Sequence, residues 1–402
     1  MELCSGVTAF IPTFNRSGFL KEALSSLLRQ TRPPDEIIVV DDGSTDDTAQ
    51  VVASFGSQVE YVHKANGGKS AALNLGLQRS SYELIYILDD DDIAADDAIE
   101  RMAEALQNSP EHGFVYGGYD AFTVPDSGTV LIEARTPPPP DDDELPIALM
   151  HRNLILQPSM LVRKTCYEQV GPFNEDFVRS QDYEMLLRLV RRFKGKRLDG
   201  IVFHQRQHTG MRGSAAMPIG AQNRIKTWRD FNTKIFSSIY TSYSLHEFLS
   251  PPVMTLSTED RITALFQRCV IVGRKRLWHF ASSDISEACN LAFQSGTRDL
   301  TPAQSIILQR MFDPWSAGMH DLASAGDFRS TLLNLPDPKL SKQIRGALSY
   351  PIRCQIRDAV RIRAVRTSLY LIACLLCISP SSGKAISHLS NLALKVINHI
   401  RL

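Results

Sequence analysis

The 402-residue sequence is short of the features that mark export, membrane insertion or a covalent framework. Its amino terminus, Met1-Glu2-Leu3-Cys4-Ser5-Gly6, has neither a basic n-region nor an apolar h-region, so no secretory signal is expected. The cysteines number seven, odd and scattered, which fits reduced thiols in a cytosolic protein and argues against a disulfide framework. The close pair Cys374 and Cys377 has no second pair to complete a zinc site and reads as packing. The apolar run Leu369–Ile378 would extend only about 15 Å as a helix, half of a ~30 Å hydrocarbon core, so no transmembrane crossing is expected there. Net charge is missing too, with 44 basic against 44 acidic residues, but the balance conceals two unlike parts. Residues 339–402 carry eleven Lys/Arg against Asp358 alone, and residues 1–338 hold the compensating acidic excess. Opposite charge at the two ends implies different work there.

What is present is ordinary globular composition, 43% hydrophobic and 22% charged, in a chain too long for one core. The expected division is residues 1–215, a helical region 216–338 and a basic helical tail 339–402. Val7–Ile11, Glu36–Val40, Val59–His63 and Leu84–Leu88 are short, β-rich and bounded by turn residues, so they read as strands. Phe19–Arg29, Asp46–Phe55 and Lys69–Arg79 carry apolar residues at helical spacing between them, with Ser44 placed to cap the second. That alternation predicts an α/β fold, a mostly parallel sheet flanked by helices. Further on, Leu145–Met150 and Gln181–Arg192 read as helical, and Ser159–Val162 and Leu198–Phe203 as extended. Pro137–Pro140 with Asp141–Asp143 reads as a stiff solvated loop. After about Ser214 the pattern turns to helices, including Glu259–Arg274 and Ile285–Phe293, with corners expected at Phe280–Asp284 and Leu322–Asp327.

Ligands of such sheets bind beyond the carboxyl ends of the strands, and the polar motifs fall there. Leu84–Leu88 runs into Asp89-Asp90-Asp91-Asp92, four carboxylates whose mutual repulsion calls for a cation or hydrogen-bond donors. Hard divalent ions such as Mg²⁺ or Mn²⁺ suit these ligands together with substrate phosphates. The alternative is a solvated acidic turn capping a helix that starts near Asp96. Glu36–Val40 delivers Asp41-Asp42-Gly43-Ser44, whose carboxylates can accept from a nucleobase imide or a ribose hydroxyl. The first strand ends in Pro12-Thr13-Phe14-Asn15-Arg16, small and polar again. Asn66-Gly67-Gly68-Lys69 puts free amides and a cation at a helix start, which favours a phosphate. His204 and His208 are four apart, but Gln205 stands where a zinc-protease motif needs glutamate.

The order Pro12–Asn15, Val39–Ser44, Asn66–Gly76 and Leu88–Ile93 resembles a family 2 glycosyltransferase of GT-A fold. The resemblance continues through Pro158–Arg163, Val170–Glu175, Ser180–Glu184 and Arg206-Gln207-His208, and so covers about residues 7–214. It implies an inverting enzyme that uses a nucleoside-diphosphate sugar and Mg²⁺ or Mn²⁺. By position, Asp42 with Asp41 beside it would contact the base, with Thr13 nearby. Lys69 would sit near the base or diphosphate. Asp89-x-Asp91 matches the family's Asp-x-Asp. Asp91 would ligate the metal, Asp89 or Asp90 would hold the ribose or a metal-bound water, and His208 would approach the metal or diphosphate from the far side. Asp182 would be the general base. The family usually has Glu-Asp here, and the neutral Gln181 alters the acceptor contacts. The implied partners are the nucleotide-sugar donor and a glycan or lipid-linked acceptor, with no nucleic acid, and the implied setting is cell-surface polysaccharide synthesis.

Three rival readings bear on this site. A sugar nucleotidylyltransferase would carry a Gly-rich loop with Thr-Arg where Pro12–Arg16 stands, and no Gly-x-Gly-x-x-Gly marks a dinucleotide oxidoreductase. A non-catalytic nucleotide-sugar binding protein would not need Asp182. For the tail, Arg353, Arg357 and Arg361 recur at helical spacing before Leu369–Ile378, which predicts peripheral binding to the cytoplasmic face of an anionic membrane, or else solvated arginines beside a packed helix.

Overall fold

Four apolar segments, each ending in polar residues, become neighbouring parallel strands in the computed structural model. The structure describes residues 6–124, 131–134, 143–208, 212–213, 218–219, 224–314, 316 and 325–378. The chain divides into two compact units, Met1–Phe231 and Asn232–Leu402, a single boundary where the sequence suggests two, after 215 and 338.

The first unit is built on strands β1 (Val7–Thr13), β2 (Glu36–Asp41), β3 (Glu60–His63), β4 (Leu84–Ile87), β5 (Ile93–Ala94), β6 (His112–Thr123), β7 (Leu131–Ala134), β8 (Met160–Arg163) and β9 (Lys194–Arg206). Its helices are α1 (Ser17–Leu28), α2 (Thr48–Ala53), α3 (Lys69–Arg79), α4 (Ala98–Gln107), α5 (Leu145–His151), α6 (Lys164–Val170) and α7 (Gln181–Arg192). The sheet order is β3-β2-β1-β4-β8-β6-β9-β5, with β7 beside β6. The expectation of a mostly parallel sheet needs correction, because the sheet is mixed. β8 enters antiparallel between β4 and β6, and β5 and β7 also pair antiparallel. Parallel pairing resumes between β6 and β9.

The apolar pattern explains which faces are covered. Every residue of β1 is buried, as expected of a strand with helices on both faces. On α1, Leu20, Ala23, Leu24 and Leu27 follow helical spacing and are all buried. Helix α3 lies close to β1, and a Cβ at Gly76 would come within 2.6 Å of the Phe10 ring. Only glycine allows that approach without displacing the helix.

The expected cap is also different. Helix α2 starts at Thr48, too late for Ser44, whose hydroxyl instead accepts from the Asn15 N–H at 2.8 Å. The predicted loop at Pro137–Pro140 lies outside the described residues, as do Asp141 and Asp142.

The second unit contains α9 (Thr258–Arg274), α10 (Trp278–Gln294), α11 (Pro302–Gln309), α12 (Gly326–Leu333), α13 (Pro338–Arg361) and α14 (Val365–Ile378). It is preceded by α8 (Arg224–Ser242), which crosses the boundary. The corner expected at Phe280–Asp284 is instead the interior of the continuous α10. Asp284 is fully buried there because Arg268 donates to both its oxygens, at 2.7 and 3.0 Å, and Tyr240 adds a third bond at 3.0 Å. Of the corner expected at Leu322–Asp327, residues 322–324 lie outside the described residues. Cys374 and Cys377 are buried free thiols, in keeping with packing. Among the described residues no helix is long and apolar enough to cross a membrane.

Candidate active site

The polar ends of β1, β2 and β4 meet the starts of α3 and α7 around one cavity of about 670 Å³. The Asp89–Asp92 turn follows β4, and its carboxylates are held by donors from remote parts of the chain. Thr13 Oγ1 donates to Asp90 at 2.9 Å, and Arg16 Nη1 bridges Asp90 and Asp91, 2.9 Å from each. His208 Nε2 lies 2.8 Å from Asp91 Oδ2. The Arg206 N–H donates to Asp92 at 2.9 Å, and its Nε donates to the Asp91 carbonyl at 3.2 Å. The Arg206 guanidinium lies 4.5 Å from the Phe122 ring centroid and 5.1 Å from that of Phe19, and bonds Glu22 at 2.7 Å. Arg206 therefore locks the end of β9 onto the acidic turn.

These donors do not discharge the turn. Burial, and then repulsion from Asp91 and Asp89, bring the Asp90 carboxyl up to about 6 despite Arg16. Burial, then Asp91 and Asp89, push Asp92 well above the ordinary carboxylate range, with the Arg206 N–H opposing. Asp89, Asp91 and Asp92 each place a carboxylate oxygen within 4.8 Å of the others. Three buried or half-buried carboxylates within reach of one another, in a turn where burial and mutual repulsion disfavour the charged forms of Asp90 and Asp92, fit a hard divalent cation that would favour those charged forms. Asp92 is the addition to the residues that the sequence singles out.

Lys69 opens α3, and its Nζ pairs with Asp89 at 2.6 Å. Burial works against its charge, but Asp89, Asp182 and Asp91 together hold the ammonium above its ordinary value. Its placement depends on Asp42. That carboxylate accepts from the N–H groups of Gly67 and Gly68, at 2.8 and 2.7 Å, from Lys64 Nζ at 2.6 Å and from Asn66 Nδ2 at 3.1 Å. Gly68 takes φ +90° at the helix start, a conformation open to glycine. Asp42 lines the cavity, and so do Thr13, Lys69, Asp89, Asp90, Asp91, Asp182 and His208. Asp41 does not. Its carboxylate turns to the Tyr61 hydroxyl at 2.5 Å and the Ser44 N–H at 2.8 Å, and it is 1% exposed.

Asp182 stands in the first turn of α7, after Ser180 in the left-handed conformation at φ +61°. Among the described residues its carboxylate makes no hydrogen bond, which distinguishes it from the acidic turn. The structure adds Arg16, Arg206, Asn153, Gln157 and Trp228 to the surroundings. Of these, only Arg16 and Arg206 stand in motifs that the sequence brings out, and their partners lie 74 to 184 positions away.

Residues 8–166 match the family described as glycosyl transferase family 2. An uncharacterized glycosyltransferase of Rickettsia felis is 33% identical over 193 residues, which are 47% of this chain and 32% of that protein. A poly-beta-1,6-N-acetyl-D-glucosamine synthase of Staphylococcus epidermidis is 35% identical over 115 residues, 28% of each chain. This chain spans about a third of the length of the first curated relatives it matches. Among solved structures, S. aureus TarS 1-349 aligns with a TM-score of 0.48 at 15% identity, covering 91% of this chain and 90% of that one. Residues 8–166 are therefore a glycosyl transferase family 2 domain.

Proposed function

We propose that this protein moves a sugar from a nucleoside-diphosphate sugar to a hydroxyl of a glycan or lipid-linked glycan, with inversion at the anomeric carbon. The observation that carries the reading is the pairing of unlike carboxylates in one cavity. The Asp89–Asp92 turn is crowded and donor-bound, while Asp182 faces the same space uncommitted. An incoming hydroxyl gives its proton to the Asp182 carboxylate as its oxygen attacks the anomeric carbon. The bond to the diphosphate breaks on the opposite face, and the electron pair leaves on the diphosphate oxygen. Lys69 and His208 lie where that growing charge is stabilised. A divalent cation, Mg²⁺ or Mn²⁺, held by Asp91 with Asp89 and Asp92 and flanked by His208, would supply Lewis-acid neutralisation of the diphosphate. Asp42 and Thr13 shape the nucleotide end, Asp42 through the Gly67–Gly68 amides.

A non-catalytic binding module would have no use for Asp182, so Asp182→Asn tests the reading. Donor hydrolysis and transfer fall by about 10²-fold or more while nucleoside-diphosphate affinity stays. Turnover within a few-fold of the parent, in a folded variant, rejects it.

The tail supports a setting for this activity at the cytoplasmic face of an anionic membrane. At the junction of α13 and α14, Ile362, Val365 and Val360 are 76%, 67% and 59% exposed. Arg353, Arg357, Arg361 and Arg363 are exposed in the same stretch of chain, with Asp358 as its one acid. Exposed apolar side chains in a basic stretch suit an interfacial site, the apolar groups entering the acyl boundary and the arginines meeting phosphates.

A further inference from the structure

The acidic turn and Asp182 leave one part of the cavity unexplained. Asn153 Oδ1, Gln157 Oε1, Ser180 Oγ and Gln181 Oε1 are buried side-chain oxygens without a hydrogen-bond partner, and all four residues line this cavity. Gln157, Ser180 and Gln181 are 4, 5 and 6% exposed. A buried polar atom is rarely left unmatched unless something else completes it. The three amide side chains make no hydrogen bond at all among the described residues, so each retains both acceptor and donor capacity. Their backbone is well placed to keep them there. Gln157 opens a single 3-10 turn before β8, and Gln181 opens α7 behind the left-handed Ser180. Trp228 lines the same cavity and is 37% exposed.

We infer that Asn153, Gln157, Ser180, Gln181 and Trp228 form a subsite for an uncharged pyranose unit of the substrate. The inference rests on the glycosyl-transfer reading of the cavity and adds a substrate class to it. A pyranose without a formal charge offers hydroxyls that both donate and accept, which matches amide groups able to do both. Its apolar C–H face matches an exposed indole, since such pockets combine aromatic surface with a few orienting polar groups. A uronic acid fits poorly. Its carboxylate accepts only, and it would meet seven lining carboxylates, Asp182 and Glu175 among them, against the three cations Arg16, Lys69 and Arg179. Gln181 keeps the edge beside Asp182 able to donate to a hydroxyl as well as accept from it.

The test uses the full chain with UDP and Mn²⁺ as fold and site control, and saturation-transfer NMR titrations of methyl β-D-glucopyranoside, methyl N-acetyl-β-D-glucosaminide and methyl β-D-glucuronide. The expected result is saturable binding of at least one neutral glycoside, with the glucuronide weaker by about tenfold or more, and a loss of about tenfold in Gln157→Leu and in Gln181→Leu. Two variants at separate elements guard against a local folding failure, which loss of UDP binding would reveal. Absence of saturable glycoside binding, equal binding of the glucuronide, or unchanged affinity in both variants overturns the subsite. Failure of both UDP and GDP to bind the unaltered chain, with neutral glycosides still bound at these residues, overturns the transferase reading instead and leaves the saccharide site standing.

Discussion

Asp42→Asn removes a charge without changing a shape, and its consequences can be worked from four hydrogen bonds. The carboxylate is 5% exposed and its two oxygens accept from Gly67 N–H, Gly68 N–H, Lys64 Nζ and Asn66 Nδ2. An asparagine keeps one oxygen and turns an amide –NH₂ toward one of the glycine N–H groups, donor against donor. The oxygen that is replaced also loses its side-chain donor, Lys64 Nζ or Asn66 Nδ2, which turns to water, so the lasting loss is the charge-assisted glycine bond, about 1.5–3 kcal/mol, and the two bonds to the remaining oxygen drop to about half their strength. Gly67 is exposed, so water recovers part of this once the loop has moved. A net cost of about 2 kcal/mol local to the loop remains. Since Lys69 follows directly, a ligand that needs Lys69 in place must repay that cost, which weakens nucleoside-diphosphate binding by roughly 30-fold. Amide hydrogen exchange at Gly67 and Gly68 in the ligand-free chain, together with calorimetric titration of UDP, measures both effects. If exchange at the two glycines is unchanged while affinity falls, Asp42 acts by touching the ligand and the loop argument is wrong.

Asp91→Asn is expected to abolish the Mn²⁺-dependent part of nucleoside-diphosphate affinity, and equal metal dependence in variant and parent removes Asp91 from the cation site. Lys275 concerns stability. Burial, then Arg274, bring its ammonium down to about 7 from 10.5, with Asp313 opposing. Between those values the unfolded chain holds a proton that the folded chain does not, so this group makes unfolding harder as pH rises, by about 1.4 kcal/mol per unit. Urea unfolding at pH 7 and 9 should show that rise in the parent relative to Lys275→Met, and parallel pH dependence refutes it. For the tail, replacing Arg353, Arg357 and Arg361 with Gln should lower partition onto anionic vesicles at low salt by about 10²-fold, at about 1 kcal/mol per residue. A full-length chain that stays in the supernatant at low salt rejects the membrane setting.

Much of the first half-sheet is legible in the sequence because β1, β2 and β4 are buried on both faces and so appear as unbroken apolar runs. Their abrupt polar ends then mark the ligand edge. Strand β5 has two residues, too few for any period, and β6 pairs with β9 through register shifts that break alternation. Corner and continuous helix looked alike at Phe280–Asp284 because an aspartate in mid-helix reads as a break until Arg268 is known to neutralise it. Within the site, carboxylates in runs are easy to see. What each one does depends on remote partners, and composition does not reveal that Tyr61 claims Asp41 or that the Gly67–Gly68 amides claim Asp42. Unpaired amide oxygens are invisible in a sequence for the same reason, since only packing makes an oxygen buried and alone.

Seven carboxylates line the cavity, against the cations Arg16, Lys69 and Arg179. An anion arriving alone meets that excess, and a dication arriving alone finds carboxylates already shared with Arg16, Lys69 and His208. Each would bind better with the other present, and thermodynamic reciprocity makes the two enhancements one common factor. An affinity quoted for either species is then a property of the pair, defined only at a stated concentration of its companion. Order of addition changes the route to the occupied cavity and leaves its stability the same.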